Sequence, residues 1–302
     1  MSWPARLAWA ALAVGLLAGS LGDPTPPTPV VERLGRRVLQ VDLHAHTRFS
    51  DGVVSPVDLV PIARRAGLDA FAVTEHNLVF PALVARWYSE LVGGPIVLVG
   101  EEITTRAVHV IALGIEERIP WDQPLPDVIE AIHRQGGVAI GAHPFGRFGR
   151  ALAPVRDRLD AVEVVHPLAW VEPGENGRAQ EMRSFYEQAR ADGYSLAAVG
   201  SSDYHAFGVM GLVRVWVAVD EVSARGIVEG IREGRTAVRD VDGRWWGSPD
   251  LVATMERDPP AIPSFAPGPV EQVFAVLGWL GLVGIVVFGA GRASCGVPGT
   301  PG

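Results

Sequence analysis

The sequence predicts an α/β fold built around a buried, mainly parallel sheet. The chain has 302 residues, of which 48% are hydrophobic, enough for one sizeable core. Short β-rich runs alternate with longer helical stretches over most of the chain, and these short runs are almost continuously apolar. Strands of this kind are buried on both faces and joined by helices, so we expect an α/β barrel or a doubly wound sheet.

The predicted elements follow one another in a β-α-β-α order. The first helix, 55–67, has Ser55 as a plausible N-cap, Pro56 at its first helical position and Gly67 at its end. The later helices are predicted over 81–93, 125–137, 176–193 and 223–234. The strands are predicted over 37–44, 68–76, 95–104, 109–115, 138–144, 159–167, 194–203 and 212–220.

The start of the chain differs from this body, which we place at residues 36–256. Residues 1–22 contain Arg6 and then an apolar run that is shorter than the ~20 residues needed to span a bilayer. This pattern is typical of an export signal peptide, cut near 20–22, and an uncleaved N-terminal anchor is the alternative. Residues 23–35 are a proline-rich linker.

A second unusual region follows the body. Residues 257–269 form another proline-rich linker, and 270–290 carry no charge after Glu271. The length of this apolar stretch predicts a transmembrane helix, with a buried core helix as the alternative. A short tail, 291–302, ends the chain. We therefore expect a protein of the cell membrane whose catalytic body lies outside the cytoplasm.

Composition excludes several kinds of chemistry. The formal net charge is -8, which argues against a nucleic-acid coat. Every one of the 26 basic residues is arginine, so a P-loop lysine or a Schiff-base lysine is impossible. Cys295 is the single cysteine, which excludes an intrachain disulfide and a thiolate metal cage. The serine-hydrolase motif GxSxG is absent.

Potential metal ligands follow five of the predicted strands. In α/β barrels the carboxyl ends of the strands share one mouth, where the chemistry takes place. Histidine and carboxylate side chains at five such ends are therefore expected to meet, which predicts a site for several metal ions. These strand-end residues are His44, His46, Glu75, His76, Glu101, Glu102, His143, Asp203 and His205.

Six ordered motifs of the body resemble those of the PHP (polymerase and histidinol phosphatase) superfamily. They are "DLHAHTRFSDG", "TEHN", "GEEIT", "HVIALG", "GAHP" and "GSSDYH", and they span about residues 41–220. The resemblance implies a distorted seven-stranded (β/α) barrel that holds two or three divalent metal ions.

The same resemblance implies a set of metal ligands. The family's glutamate matches Glu102, and strand alternation would then turn Glu101 to the opposite face. Glu75 is expected to orient a ligand. The implied ligands are His44, His46, Asp51, His76, Glu102, His109, His143, Asp203 and His205.

Such ligands define the expected chemistry. Imidazole and carboxylate ligands without thiolate suit zinc, manganese or iron. A water held between two such ions is a nucleophile at neutral pH, so hydrolysis needs no covalent enzyme intermediate. His205 and His76 are the candidates for the general acid that protonates the leaving group, provided that metal binding does not occupy them fully.

Arginines near the predicted metal loops indicate the substrate. Arg48 lies inside the first metal motif, and Arg147 and Arg150 follow "AHPFG". Guanidinium groups bind phosphate or carboxylate oxygens in pairs, which favours a small-molecule phosphoester. His166 ends a strand near the mouth and is a candidate for substrate contact, for support of a ligand, or for a purely structural role.

The body is most similar to exported, standalone members of the superfamily, which are like carbaryl hydrolases. That similarity implies cleavage of carboxyl or carbamate esters as well as phosphoesters. One alternative is a membrane-tethered metal-binding or sensory module without turnover. Another is an extracellular nuclease. Neither a basic stripe nor an aromatic stacking platform is evident in the sequence, which argues against nucleic acid as a partner.

Overall fold

The fold is described from a computed structural model of the chain. The structure describes residues 2–19, 30–105, 107–169, 176–205, 208–262 and 269–289. The described chain forms two compact units, one made of the two terminal segments and one covering Pro27–Pro263.

The larger unit is an α/β fold around one nearly closed, barrel-like sheet, which confirms the predicted fold class. Side chains from each strand between the second and the ninth meet in one apolar cluster, as they do inside a barrel. The strands of the described chain are β1 (Val31–Arg33), β2 (Arg36–Asp42), β3 (Ala70–Val73), β4 (Ile96–Thr104), β5 (His109–Leu113), β6 (Val138–Gly141), β7 (Ala161–Val165), β8 (Ala197–Gly200), β9 (Val215–Val219), β10 (Thr236–Arg239) and β11 (Trp245–Gly247).

The sheet is more complex than the seven mainly parallel strands that we expect from the sequence. Its order is β11-β10-β9-β2-β3-β4-β5-β6-β7-β8, with β1 beside β2. The pairs β2–β3, β3–β4, β6–β7 and β7–β8 are parallel. In contrast, β5 runs antiparallel to β4 and β6, and β9 runs antiparallel to β2. A connection of only 105–108 between β4 and β5 is too short for a parallel crossover, which explains the first reversal.

The barrel is nearly closed where β8 approaches β10. The Thr236 hydroxyl donates a hydrogen bond to the carbonyl of Ala198 across this gap, at 2.8 Å. Strand β1 lies within 23–35, so the predicted linker is partly sheet. Two further short strands, β10 and β11, escape prediction because three or four residues are too few to show an alternating pattern.

Helices connect the strands and cover the sheet. Ser55 accepts a hydrogen bond from the Asp58 backbone and Asp58 bonds back, so α2 starts with the capping box that the sequence favours. Gly93 ends α3 in the left-handed conformation. The described helices are α1 (Trp3–Gly19), α2 (Pro56–Arg65), α3 (Phe80–Val92), α4 (Leu125–Arg134), α5 (Gly146–Leu152), α6 (Asn176–Ala191), α7 (Ala224–Arg232), α8 (Pro249–Arg257) and α9 (Pro269–Gly289).

The smaller unit consists of α1 packed against α9. The helices approach closely at glycine, since a β-carbon on Gly281 would lie 2.4 Å from the Leu12 nitrogen. No helix in the described part of the chain is long and apolar enough to cross a membrane, so the transmembrane helix predicted over 270–290 is not supported. Several predicted features lie outside the described residues. They are the cleavage region at 20–22, residues 23–29 and 263–268 of the two linkers, and the tail 291–302 with Cys295.

Candidate metal centre

All nine predicted ligands lie together at the mouth of the barrel. Parallel strands bring their carboxyl ends to this side, and the antiparallel β5 brings its first residue, His109, to the same side, opposite Thr104 of β4. Two of the nine residues, His143 and Asp203, have positive φ angles of 28° and 46°. Such backbone strain in non-glycine residues is concentrated at functional sites.

The deepest part of the cluster is formed by His44, His46, Glu102 and Asp203. The Nε2 atoms of His44 and His46 are 3.0 Å apart, and both side chains are fully buried. Glu102 Oε2 lies 3.4 Å from His44 Nε2 and 3.5 Å from His46 Nε2. Asp203 Oδ1 lies 3.4 and 3.3 Å from the same two nitrogens. Four potential ligand atoms therefore surround one point.

Glu102 also joins this group to a second one. Its Oε1 atom lies 2.8 Å from His109 Nδ1 and 3.3 Å from His143 Nε2. The other oxygen, Oε2, faces His44 and His46 and lies still closer to His76 Nδ1, at 2.9 Å. The two oxygens of Glu102 thus face different sets of imidazoles, so this carboxylate would be able to contribute to the sites of two neighbouring cations.

A third group lies closer to solvent and contains both residues that we predict as general acids. Asp51 Oδ2 is 3.2 Å from His76 Nε2, and Asp51 Oδ1 is 3.1 Å from His205 Nε2. About a quarter of each of these imidazoles is exposed. His76 and His205 are therefore the histidines of the cluster that an entering substrate can reach most easily. Their role as general acids stays a prediction.

The donor set fits divalent cations. Asp203 Oδ1 is buried close to the imidazoles of His44 and His46, yet it has no hydrogen-bond partner. His143 Nδ1 is likewise buried without a partner. Buried polar atoms are normally paired, so these two atoms fit a site that binds a ligand such as a cation. Five overlapping triads of His, Asp and Glu atoms in the cluster are close enough together to hold a metal ion, and one of them contains Asp203.

The electrostatics of the cluster also fit divalent cations. Burial lowers the pKa of His44, but Asp203 and Glu102 outweigh burial and raise this pKa well above its usual value. Burial raises the pKa of Glu102, yet His44 and His109 hold it well below its usual range. The buried carboxylates thus require positive charge beside them, which divalent cations would supply.

A buried carboxylate that our sequence analysis missed supports the deepest group from below. Glu163 Oε1 lies 3.3 Å from His44 Nδ1 and accepts a hydrogen bond from the Ser201 hydroxyl, while Oε2 accepts one from the His143 backbone at 2.7 Å. Burial raises the pKa of Glu163, but His166 and His44 outweigh it and lower the pKa to about 2. With His44 Nδ1–H donating to Glu163, the lone pair of Nε2 points into the cluster.

Asp42 is a second buried carboxylate that the sequence analysis missed. It accepts backbone hydrogen bonds from Ser202 at 3.0 Å and Gly211 at 2.8 Å, and so fixes the loop that carries Asp203. A charged residue inside an otherwise apolar strand was the signal available for both Asp42 and Glu163, because buried charges are rare unless they are paired.

Glu75 orients a ligand through an intermediate residue. Its Oε1 atom accepts a hydrogen bond from the Thr47 backbone at 2.7 Å, and its Oε2 atom accepts one from the Ser50 hydroxyl. Ser50 Oγ lies 3.3 Å from His46 Nδ1. This chain fixes the ring plane of His46 as Glu163 fixes that of His44.

The residues predicted to bind substrate occupy different places. Arg48 is exposed beside the mouth, and the Arg147 guanidinium lies 4.8 Å from the Phe148 ring centroid. His166 is fully buried, its Nδ1 accepts a hydrogen bond from the Leu168 backbone, and its Nε2 lies 3.5 Å from Asp203 Oδ2. His166 therefore lies beneath the cluster beside Asp203, and with His44 and Glu163 it forms one of the groups that could hold a metal ion. Its contact with substrate stays a prediction.

Glu101 points away from the cluster, as strand alternation predicts. Its side chain is buried and accepts a hydrogen bond from the Ile119 backbone. Burial raises the pKa of Glu101 from 4.5 to about 7.

The raised pKa of Glu101 predicts how stability depends on pH. The folded chain keeps this proton between pH 4.5 and about 7, whereas the unfolded chain releases it, so stability should fall as the pH rises through this window. Replacing Glu101 with Gln removes the cost of the buried charge. The melting temperature of Glu101→Gln should exceed that of the wild type at pH 8, and the difference should vanish near pH 4.5. A constant difference across this range would contradict the assignment.

The fold and the site define a metal-binding α/β barrel, and comparisons with known proteins identify its family. The model of the PHP domain matches residues 42–195, and the model of the PHP-associated region matches 187–236. The chain therefore belongs to the PHP domain family. The family match and the donor set together support a metal-dependent hydrolase.

Individual proteins are similar to parts of this chain. An uncharacterized protein of Methanocaldococcus jannaschii is 32% identical over 142 residues, which are 42% of this chain and 81% of that protein. A 5'-3' exoribonuclease of Haemophilus influenzae is 31% identical over 104 residues, 33% of this chain and 38% of the exoribonuclease. A crystal structure of a two-domain Bacteroides vulgatus protein, containing a predicted PHP-like metal-dependent phosphoesterase, superposes with a TM-score of 0.62 at 22% identity. That match covers 78% of this chain and 74% of the other, and it shows the shared fold.

Proposed function

We propose that this chain hydrolyses phosphoesters of small molecules with the help of two or three divalent metal ions. The observation that carries the proposal is the position of Glu102, whose two carboxylate oxygens face two different sets of histidines. Two neighbouring cations bound beside these oxygens would activate water and polarise the phosphoryl group. Zinc, manganese and iron all suit this donor set.

The protein's own residues have separate tasks in this reaction. His44, His46 and Asp203 would hold the most deeply buried ion, with Glu163 and His166 lying beneath them. The oxygen of the attacking water forms a bond to phosphorus, and the bond between phosphorus and the leaving oxygen breaks. The leaving oxygen receives a proton, for which His76 and His205 on the exposed side are the candidates.

Arg48 is predicted to bind a non-bridging phosphoryl oxygen. The variant Arg48→Ala should raise KM for phosphomonoesters about tenfold, the effect of one charge-assisted hydrogen bond, while the metal content stays unchanged. Arg225→Ala, which removes an exposed arginine of α7, is the matched control and should leave KM unchanged. An equal rise of KM for an uncharged carboxyl ester would contradict a role of Arg48 in phosphate binding.

A substrate screen of the metal-loaded chain tests the proposal. We expect release of phosphate from phosphomonoesters or cleavage of phosphodiesters, with slower cleavage of carboxyl and carbamate esters. Activity on carboxyl or carbamate esters alone would overturn the phosphoesterase proposal and favour the carbaryl-hydrolase-like reaction. Bound metal without turnover of any ester would favour a metal-binding or sensory module.

Nuclease action is the second candidate, and one observation favours it. Two aromatic pairs lie near the mouth, the exposed Phe49 with Phe80 at 5.3 Å and the partly buried Phe145 with Phe148 at 6.3 Å between ring centroids. Aromatic rings of this kind are a common feature of single-strand binding, whereas the expectation that nucleic acid is not a partner stays a prediction. Short RNA and DNA oligonucleotides therefore belong in the screen. The membrane partner and the extracytoplasmic location stay predictions.

A further inference from the structure

A cavity of about 510 Å³ lies next to the metal centre and is not used by the cluster itself. It lies between α5 and the start of α6, and its walls are formed by Phe145, Gly146, Arg147, Phe148, Gly177, Arg178 and Glu181. The Phe148 ring borders both the cavity and the cluster, since its centroid is 4.9 Å from that of His109 and 5.1 Å from that of His143. The cavity and the cluster are therefore neighbours that share the Phe148 ring as a common wall.

The walls of the cavity are aromatic and cationic. The rings of Phe145 and Phe148 are perpendicular, with an interplanar angle of 88°. The guanidinium of Arg147 lies 4.8 Å from the Phe148 centroid, and that of Arg178 lies 5.0 Å from the Phe145 centroid. Glu181, the acidic residue of the wall, already accepts a hydrogen bond from the Gly146 backbone.

We propose that this cavity binds a planar aromatic ring of the substrate, a nucleobase or a substituted phenyl group, while the phosphoryl group of the same molecule lies at the metal centre. Two perpendicular phenyl rings offer a planar guest one face to stack on and one edge to meet, the two geometries that aromatic pairs favour. The stacked guanidinium groups add cation–π attraction to such a guest. The inference rests on the proposed phosphoesterase function and specifies its substrate class.

The other aromatic pair at the mouth is less suited to this task. Phe49 and Phe80 are 47% and 55% exposed, so their rings are less enclosed than those of Phe145 and Phe148. No guanidinium stacks on either ring among the described residues. Phe49 is therefore the matched control for Phe148, because both are phenylalanines near the same metal centre.

Calorimetric binding of phosphonates to the full, metal-loaded chain tests the proposal independently of turnover. Benzylphosphonate and cyclohexylmethylphosphonate differ only in the aromaticity of the ring. A methylene phosphonate analogue of AMP and its ribose counterpart differ only in the nucleobase. We expect the aromatic member of at least one pair to bind about tenfold more tightly, as one stacking contact allows. Preference within the first pair indicates an aryl ester, and preference within the second indicates a nucleotide.

The variants locate the aromatic site. Phe148→Leu and Phe145→Leu should each reduce the preference to less than threefold, whereas Phe49→Leu should keep it. Equal binding of both members in both pairs would overturn the proposal, and so would a preference lost in Phe49→Leu but kept in Phe148→Leu. Equal weakening of both members by Phe148→Leu would show that this ring supports the histidines without contacting substrate, and would also overturn it. Because phosphonates are not hydrolysed, a failure of the phosphoesterase function is measured separately, in the ester screen.

Discussion

Replacing His44 with alanine should lower kcat/KM for phosphoesters on the order of 10⁴-fold, and adding Asp203→Ala should lower it little further. Both residues contribute to one group of ligand atoms, 3.4 Å apart, so the loss of either disrupts the same metal site. Effects of residues that act as a unit are not additive, in contrast to those of distant residues.

Metal content provides the second measurement for this variant. Elemental analysis should show fewer bound metal equivalents in His44→Ala than in the wild type. His133→Ala is the matched control, since His133 lies outside the cluster and bonds Asp160 at 2.8 Å. Near wild-type turnover by His44→Ala, or a similar loss in His133→Ala, would show that the cluster does not act as proposed.

Replacing Glu163 with glutamine should weaken metal binding about 10- to 100-fold, although Glu163 is not one of the nine predicted ligands. The carboxylate accepts hydrogen bonds from the Ser201 hydroxyl and the His143 backbone, and it lies against His44 Nδ1. An amide offers one acceptor atom in place of two, so its NH₂ group would face a donor. The His44 ring would then lose the contact that directs its Nε2 lone pair into the cluster.

Glu101→Gln is the control for Glu163→Gln because both substitutions neutralise a fully buried glutamate in a strand of the same barrel. Titration of each metal-free variant with Zn²⁺ or Mn²⁺ gives the affinities, and thermal melting shows whether the fold is intact. A folded Glu163→Gln variant with wild-type affinity would contradict the role of Glu163 as a positioning residue. So would an equal loss of affinity in Glu101→Gln.

The sequence indicates the metal centre well because its signals are local. "HAH" places two imidazoles within three residues, and ligands at strand ends are brought together by any α/β barrel, whatever the details of its sheet. The family resemblance selects Glu102, which reaches the cluster, and strand alternation then places Glu101, which bonds Ile119, on the opposite side.

Features that depend on tertiary contacts are harder to predict. The antiparallel direction of β9 beside β2 depends on pairing across the sheet, which leaves no pattern in the strand itself. Asp42 and Glu163 look like exceptions in apolar strands until their buried partners are known. His166 ends a strand near the mouth as the predicted ligands do, and only its complete burial reveals that it lies beneath them.

The same distinction applies to the chain ends. Residues 269–289 do form a helix, which the apolar run favours. Among the described residues, however, no helix combines the length and the apolar character that a membrane span needs. Length and composition predict helix formation from local propensity, whereas the environment of an apolar helix depends on what packs against it. Here α9 packs against α1 within the smaller unit.

Reconstitution of the chelated chain with metal tests the central claim most directly. The full-length protein is treated with a chelator, dialysed, and titrated with Mn²⁺ or Zn²⁺ while phosphate release from an aryl phosphate is followed. We expect negligible release without metal and full activity after two or three equivalents, with no recovery in His44→Ala. Phosphate release that is the same in the metal-free and metal-loaded chains, or that recovers fully in His44→Ala, would contradict metal-dependent hydrolysis at this centre.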